Sequence, residues 1–280
     1  MPRVLIAGCG YLGKALAQFL VERCWEVEGW ARTATSTAPA GYEVHNVDIT
    51  DRAPIAARGG NFDAVVHCAS TRGGGAADYR RVYVDGVRNL LEQFSSASLL
   101  FTSSTSVYAQ DDGSWVTEQS PAEPRRDTGR LLLEAENLVL ARGGTVARVA
   151  GIYGPGRSAL LQKFLDGKAA VDMHNDRFIN QVHRDDVVSA FALLLDRQPS
   201  TAEIYNVVDD EPVLRSACFR WLAARLHRPL SSSGASEPPR KRGDSNKRVS
   251  NAKLRAINWA PRYRTFAAGM EQSVLPSFGL

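Results

Sequence analysis

The sequence predicts an α/β chain: a doubly wound parallel sheet with helices on both faces, joined to a smaller C-terminal region. Three observations predict it. Short apolar runs of strand-forming residues alternate with segments whose apolar residues recur at helical spacing, as expected of strands buried on both faces by crossover helices. The first run, Val4 to Ala7, leads directly into Gly8, Gly10 and Gly13 and then a helical segment from Lys14 to Val21. The chain has 280 residues, 44% hydrophobic and 23% charged, which suits one large domain or one and a half of ordinary globular composition.

The opening glycines have G-x-G-x-x-G spacing between a strand and a helix, the context in which that motif binds a dinucleotide. Gly8 permits a tight turn, Gly10 lets the backbone approach a pyrophosphate, and Gly13 lets helix and strand pack closely. Tyr11 and Leu12 lie at the helix N-terminus, where N–H groups and the positive dipole end favour phosphates. The alternative is a glycine-rich turn with no ligand.

The second strand runs from Glu26 to Ala31. An acid that would hold an adenosine ribose belongs just beyond it, yet Ala31, Arg32 and Thr33 offer none. The Arg32 guanidinium suits a 2′-phosphate and favours NADP over NAD, unless it is a surface arginine. Tyr42 to Val47 is a third strand. Asp48, followed by Ile49, reaches an adenine amino group or caps the next short helix. Phe62 to Ala69 is a fourth strand carrying Cys68 and Ala69 at its end, and a glycine-rich loop, Thr71 to Asp78, follows. Tyr79 to Phe94 is a long helix, and Ser98 to Ser103 a fifth strand. Asp127 to Ala141 is the next helix and Gly144 to Val149 the sixth strand. Beyond the turn-rich Gly151–Arg157 come a short helix (Leu160 to Leu165), a strand over Arg177 to Val182, a helix from Asp186 to Leu195, a strand from Ile204 to Val208 and a helix from Cys218 to Leu226. Ser231 to Arg242 reads as a loop ending in a basic run, and Val249 to Leu254 opens the last segment as a strand or turn.

Net charge is +4. This fits anionic small ligands and is too weak to argue for nucleic acid, a reading that would rest on Arg240 to Arg242 alone. No apolar run approaches a membrane span, and the N-terminus lacks the zones of a signal peptide, so the expected location is the cytoplasm. Cys9, Cys24, Cys68 and Cys218 are scattered, with no metal-ligand spacing, and read as reduced and structural. Cys9 would be oxidation-sensitive if it lay beside a cofactor.

Seven stretches in order resemble the extended short-chain dehydrogenase/reductase branch, the NAD-dependent epimerase/dehydratase family: GCGYLG (8–13), VDITD (47–51), VVHCAS (65–70), FTSSTSVYA (101–109), RVAGIYGPGR (148–157), RFINQVHRDDVVSA (177–190) and YNVVDDEPV (205–213). The resemblance implies a Rossmann-type domain over 1–155, with 177–208 returning to it, and a smaller substrate-binding region over 156–176 and 209–280. The candidate cofactor set is Gly8, Gly10, Tyr11, Leu12, Gly13, Arg32, Asp48, Ile49, Cys68, Ala69 and Ser103. The resemblance puts the hydroxyl that orients substrate at Ser104, beside Ser103; both could instead bond backbone in a turn. The proton-carrying Tyr-x-x-x-Lys pair falls on Thr128 and Leu132, and both functions are lost. The chain therefore resembles an atypical subgroup that keeps the cofactor fold without the usual Tyr and Lys.

Tyr83 replaces an Asn near the active site of relatives and is a candidate proton carrier, or it fills volume. Tyr108, Tyr153, His67 and His174 are weighed as acid–base groups against structural roles. On the substrate side the resemblance points to His183, with Asp185 and Asp186 capping the helix and competing for Arg184. It also points to Lys247 and Arg248 as grips for an anionic ligand, against a solvated basic face. Gln181 and Asn206 are further candidates for polar pocket residues, a role the sequence alone does not show. Two functions stand: an NADP-dependent oxidoreductase or epimerase on a nucleotide-sugar-like or other polar alcohol, and a non-catalytic NADP-binding redox sensor or interaction protein. The resemblance implies a homodimer through the helices Tyr79–Phe94 and Asp127–Ala141, although core packing accounts for most of their apolar residues.

Overall fold

A computed structural model describes residues 1–33, 41–71, 73–169, 176–197, 202–230 and 245–280. From the N-terminus, β1 (Arg3–Ala7) passes through the glycine turn into α1 (Tyr11–Val21), followed by β2 (Glu26–Ala31), β3 (Glu43–Asn46), α2 (Arg52–Arg58) and β4 (Ala64–His67). The long helix expected over 79–94 is α3 (Ala76–Tyr79), a π turn (Arg80–Asp85) and α4 (Gly86–Gln93) in succession. Next come β5 (Ser98–Ser104), β6 (Trp115–Val116), α5 (Asp127–Leu140), β7 (Thr145–Val149), β8 (Gly151–Tyr153) and α6 (Ala159–Leu165). The strand expected over 177–182 is broken at Asn180 into β9 (Phe178–Ile179) and β10 (Gln181–His183). The chain ends with α7 (Arg184–Asp196), β11 (Ile204–Val207), β12 (Val213–Leu214), α8 (Arg215–Arg225), β13 (Arg248–Val249), α9 (Ala252–Arg255), α10 (Phe266–Gly269), a second π turn (Met270–Val274) and α11 (Leu275–Ser277).

Two compact units emerge. The first is Met1–Val107, Ala122–Arg148 and Val188–Tyr205; the second is Tyr108–Pro121, Val149–Val187 and Asn206–Leu280. Residues 108–121 and 149–155 thus group with the C-terminal residues, where the resemblance had put them in the cofactor-binding part.

The first unit is organised by a seven-stranded sheet in the order β11-β7-β5-β4-β1-β2-β3. The β1–β2, β1–β4, β2–β3 and β4–β5 pairs are parallel. The strands are apolar on both faces because helices cover both: Val4, Leu5, Ile6, Val65 and Val66 are buried. Strand order reverses between β1 and β4, the position at which open sheets of this kind leave a crevice beyond the strand ends. The glycine turn occupies that position.

Among the described residues, the second unit holds three small ladders: β8 with β10 and β6 with β13, both parallel, and β9 with β12, antiparallel. The break at Asn180 follows from this, since β9 and β10 serve different partners. The Asn180 side chain fills the break, donating to the Lys247 carbonyl at 3.0 Å and accepting the Val249 N–H at 2.8 Å. Tyr153, Leu161, Phe219, Leu222, Phe266 and Met270 lead the core of this unit. The Asp186 carboxylate accepts the N–H groups of Arg262 at 2.6 Å and Tyr263 at 3.1 Å, anchoring the C-terminal segment. Asp185 accepts from Arg184 at 2.8 Å, and both acids lie in the first turn of α7. No described helix is long and apolar enough to cross a membrane.

Candidate functional site

The three glycines answer to three different neighbours. Gly8 has φ +105°, and a Cβ there would lie 2.1 Å from the Ala69 nitrogen, so the turn is pressed against the end of β4. A Cβ on Gly13 would lie 2.4 Å from the Gly8 carbonyl oxygen, which is the close helix–strand contact the spacing predicts. A Cβ on Gly10 would meet nothing within 4 Å. Space is therefore open at the one glycine that the motif assigns to pyrophosphate. Gly10 also precedes α1 as its N-cap without a side-chain capping bond, leaving the helix start to a ligand. The Thr71 hydroxyl, just beyond β4, is a buried oxygen with no partner among the described residues. An open cradle, an uncapped helix start and an orphaned hydroxyl at the switch point fit a dinucleotide.

Around that cradle the candidate cofactor residues take distinct positions. Leu12 is buried on α1, and Arg32 is exposed at the end of β2. Arg32 pairs with no carboxylate among the described residues. Asp48 accepts the Thr50 N–H at 2.9 Å, and the cap of α2 is Asp51, which accepts the Ala53 N–H at 3.0 Å. The capping expectation for Asp48 is corrected by one turn of the loop. Ile49 is buried against Gly86, and Asn89 donates to its carbonyl at 3.0 Å. Cys68 lies 3.8 Å from the Thr102 hydroxyl, with burial pushing its thiol up to about 12. Cys9 is buried beside Gly29, and burial raises its thiol too, which disfavours the thiolate.

Ser103 and Ser104 alternate along β5. The Ser103 hydroxyl is buried and donates to Glu136 at 2.5 Å; Glu136 in turn is gripped by Arg148 through bonds of 2.6 to 3.1 Å. Ser103 thus serves an internal ion pair rather than presenting its hydroxyl to a cofactor. Ser104 is half-buried and accepts the Ser106 N–H at 3.1 Å, so its hydroxyl proton remains available to a substrate oxygen. On α5, Thr128 is half-buried, whereas Leu132 is 3% exposed and belongs to the core. The place of the usual lysine is filled by packing.

Tyr83 sits within the π turn. Its ring meets Tyr79 at 4.9 Å, His67 at 5.9 Å and Phe101 at 6.3 Å, in a buried aromatic group. His67 is fully buried and bonds the Val82 carbonyl through Nε2 at 3.1 Å, and burial pushes its imidazole down to about 4. It is neutral near pH 7 and enclosed, which removes it as a proton shuttle. His174 lies outside the described residues, as do Arg240 to Arg242.

In the second unit, His183 is fully buried with both ring nitrogens engaged. Nδ1 accepts the Asp185 N–H at 3.2 Å, and Nε2 bonds the Ser273 hydroxyl at 2.9 Å. The Tyr263 ring lies tilted against it with centroids 4.0 Å apart, and burial holds the imidazole down at about 4. Lys247 is buried as well: its ammonium donates to the Tyr108 carbonyl at 3.0 Å and the Ser245 hydroxyl at 2.5 Å, and burial lowers it to about 8. Both were expected to meet substrate, and both are instead used inside the unit. Tyr108 donates to Asn206 at 2.9 Å, which likewise ties that pair to structure, and Tyr153 is buried in the core. Gln181 keeps a buried side-chain oxygen without a partner among the described residues. Arg248 differs from Lys247. Its guanidinium lies over Phe178 at 5.0 Å and Trp115 at 5.3 Å, with Nε donating to the Gly113 carbonyl at 2.8 Å. Trp115 is 54% exposed, so this stack faces solvent.

Sequence reasoning missed Glu136 with Arg148, and the Trp115–Phe178 clamp. Glu136 follows Thr128 and Leu132 at successive intervals of four, so helical spacing alone places it on their face. Nothing in the sequence brings residues 115, 178 and 248 together.

A model of the NAD dependent epimerase/dehydratase family matches residues 4–207. The chain is 31% identical to Protein YeeZ of Escherichia coli strain K12 over 242 residues, 81% of this chain and 84% of that protein. A structure from Methylobacillus flagellatus, provisionally described as an NAD-dependent epimerase/dehydratase, is 31% identical with a TM-score of 0.81, over 100% of this chain and 99% of the other. The UDP-glucose 4-epimerase of Thermus thermophilus, solved with NAD, shares the fold at 22% identity and a TM-score of 0.82, over 100% and 99% of the two chains.

Proposed function

The chain belongs to the NAD-dependent epimerase/dehydratase family, and on that premise we propose that it is an NADP-dependent oxidoreductase or epimerase acting on a nucleotide-linked sugar or a similar polar alcohol. The observation that carries this reading is the open space at Gly10, beside two glycines closed by protein contacts. Bound there, a nicotinamide dinucleotide supplies the hydride donor or acceptor. The chain's own residues bind and orient. The start of α1 holds the pyrophosphate. Arg32 presents its fork to a 2′-phosphate, and no acid at the end of β2 competes for a ribose diol. Ser104 donates to the reacting oxygen. Tyr83, or a water, carries the proton. Arg248 receives the anionic end of the substrate.

The preference for NADP rests on Arg32, since the Thermus neighbour was solved with NAD. The proposed setting is cytoplasmic, with a small-molecule substrate and a homodimer through α4 and α5.

A second reading, a non-catalytic NADP-binding sensor or interaction protein, is favoured by one observation: Leu132 is buried core where relatives use a lysine. Calorimetric titration with NADPH and, separately, NADH tests the cofactor. Turnover of a panel of nucleotide sugars with the preferred cofactor then separates the two readings, and tight binding without turnover favours the second.

A further inference from the structure

Arg248 is fixed along its stem and open at its tip. Its backbone N–H donates to the Ser114 carbonyl at 2.8 Å, and it stands opposite Trp115 in the β6–β13 register. Successive residues of a strand point to opposite faces. Lys247 turns inward to the Tyr108 carbonyl, and Arg248 lies against the exposed Trp115. The Arg248 Nε–H is held by the Gly113 carbonyl, and the guanidinium lies over both Phe178 and Trp115. Phe178 is held in turn: its N–H donates to the Asn246 side-chain oxygen at 2.9 Å, and the Asn246 carbonyl accepts the Gly113 N–H at 2.8 Å. Three separate segments therefore fix one guanidinium. Among the described residues, Nε is the only atom of that guanidinium with a hydrogen-bond partner, and no carboxylate pairs with Nη1 or Nη2. The Asp112 carboxylate, close by in sequence, accepts the Ser114 N–H at 3.0 Å and closes the turn before β6.

Trp115 supplies the other half of the arrangement. Tryptophan is highly buried on average. Among the described residues, the other exposed large apolar side chains are Met1 and Leu280, the first and last in the sequence. An oxyanion by itself would pair with the guanidinium fork and leave the indole in water. An apolar ring by itself would cover the indole and leave the fork unpaired. A ligand that carries its oxyanion on a ring meets both needs. Nucleobases stack on aromatic side chains, and the negative face of an indole attracts the C–H groups of a sugar ring. Because the stem and Nε of Arg248 are already held, little side-chain freedom remains to be lost on binding.

We propose that Trp115, Phe178 and Arg248 form a receptor for a ring-borne oxyanion, with the ring on the indole face and the oxyanion in the Nη fork. A nucleoside phosphate and a sugar acid share that chemistry. The inference rests on the functional reading above only in taking the ring-borne oxyanion to be part of the substrate.

The test uses the full chain, with uridine 5′-monophosphate, glucuronate, uridine, glucose and inorganic phosphate as separate calorimetric probes at matched ionic strength. At least one of the two ring-borne oxyanions binds saturably, and more tightly than its ring or the phosphate ion alone. Trp115→Ala weakens that ligand by about tenfold, the scale of one stacked ring, and leaves inorganic phosphate unchanged. Arg248→Gln weakens it by about tenfold or more, and Arg248→Lys, which keeps the charge without the fork, recovers only part. Trp115 is exposed, so its truncation spares the core, and Trp115→Ala decides the matter should Arg248→Gln unfold. Tighter uridine 5′-monophosphate assigns the ring to a nucleoside, and tighter glucuronate assigns it to a sugar acid. Ring-borne oxyanions that bind no better than uridine, glucose and phosphate, or a Trp115→Ala variant that binds them like the parent, overturn the receptor. NADPH titrated into Trp115→Ala, which lacks the stacking ring, reports the glycine turn and keeps the failures apart. Dinucleotide binding without ring-borne oxyanion binding to the parent refutes the receptor alone, and the reverse refutes the functional reading alone.

Discussion

The Nε2–H of His67 donates to the carbonyl of Val82, 3.1 Å away, inside the π turn between α3 and α4. A π turn displaces carbonyls from their usual helical partners, and here a buried histidine satisfies one of them. The bond also sets the tautomer. Nε2 carries the proton, and Nδ1 is a buried acceptor with no partner among the described residues.

His67 therefore links stability to acid. Its folded value, about 4, lies below the ordinary 6.5, so its contribution is full above pH 6.5 and is lost as pH falls toward 4. Replacing it by phenylalanine, His67→Phe, leaves the Val82 carbonyl unpaired and costs about 1–3 kcal/mol at pH 7. The stability gap between parent and variant narrows as pH falls from 6.5 to 4. Urea midpoints at several pH values measure it. Asp186 acts with the opposite sign: raised to about 6, it contributes most below pH 4 and loses that contribution as pH rises through 6. The comparison with the variant cancels this term.

Gly10 and Gly13 separate ligand from fold. Gly10→Val meets no protein atom near its Cβ, so Tm stays close to that of the parent while NADPH and NADH both lose affinity by about a hundredfold, the cost of a side chain where a pyrophosphate approaches. Gly13→Ala presses on the Gly8 carbonyl and lowers stability by about 1–3 kcal/mol. Undisturbed dinucleotide binding in Gly10→Val would remove the glycine turn as the site.

Arg32→Ala weakens NADPH by about tenfold or more and changes NADH by less than about twofold, because only NADPH carries the 2′-phosphate. Calorimetry reads both. Equal losses would assign Arg32 to another role.

Leu132→Ala tests how far the lysine position has become core. At 3% exposure the truncation costs about 2–5 kcal/mol in chemical unfolding. A cost below about 1 kcal/mol would mean the side chain lines a cavity instead.

Glu136→Gln breaks a buried pair and leaves the Arg148 charge uncompensated, at a cost of about 3–5 kcal/mol. The double change Glu136→Gln with Arg148→Met recovers part of it, because the stranded charge goes too. Failure of the double variant to improve on the single one would count against the ion pair as the source.

Legibility followed sequence distance. The strand–glycine–helix opening was readable because its signals are local: an apolar run, fixed glycine offsets and a helical period. The π turn was not, since Val82, Val87 and Leu90 keep an apolar spacing that a single widened turn barely disturbs. His183 and Lys247 were assigned to substrate by resemblance and are used internally. Their partners Ser273 and Tyr108 lie 90 and 139 residues away in sequence, so burial of these polar groups could not be read locally. The division of the chain was hidden for the same reason, because β6 pairs with β13 from a distant part of the sequence.

That last pairing has a consequence for biosynthesis. Residues 114 to 116 emerge from the ribosome long before 248 to 250, yet each supplies the other's backbone partners: Arg248 N–H to the Ser114 carbonyl at 2.8 Å and Ser250 N–H to the Val116 carbonyl at 2.9 Å. Translation proceeds at roughly 5–20 residues per second, so an exposed apolar segment waits several seconds for its strand. During that interval Trp115 and Val116 are open to other edges, and chaperone occupancy on nascent chains stalled before and after residue 250 would report when the wait ends.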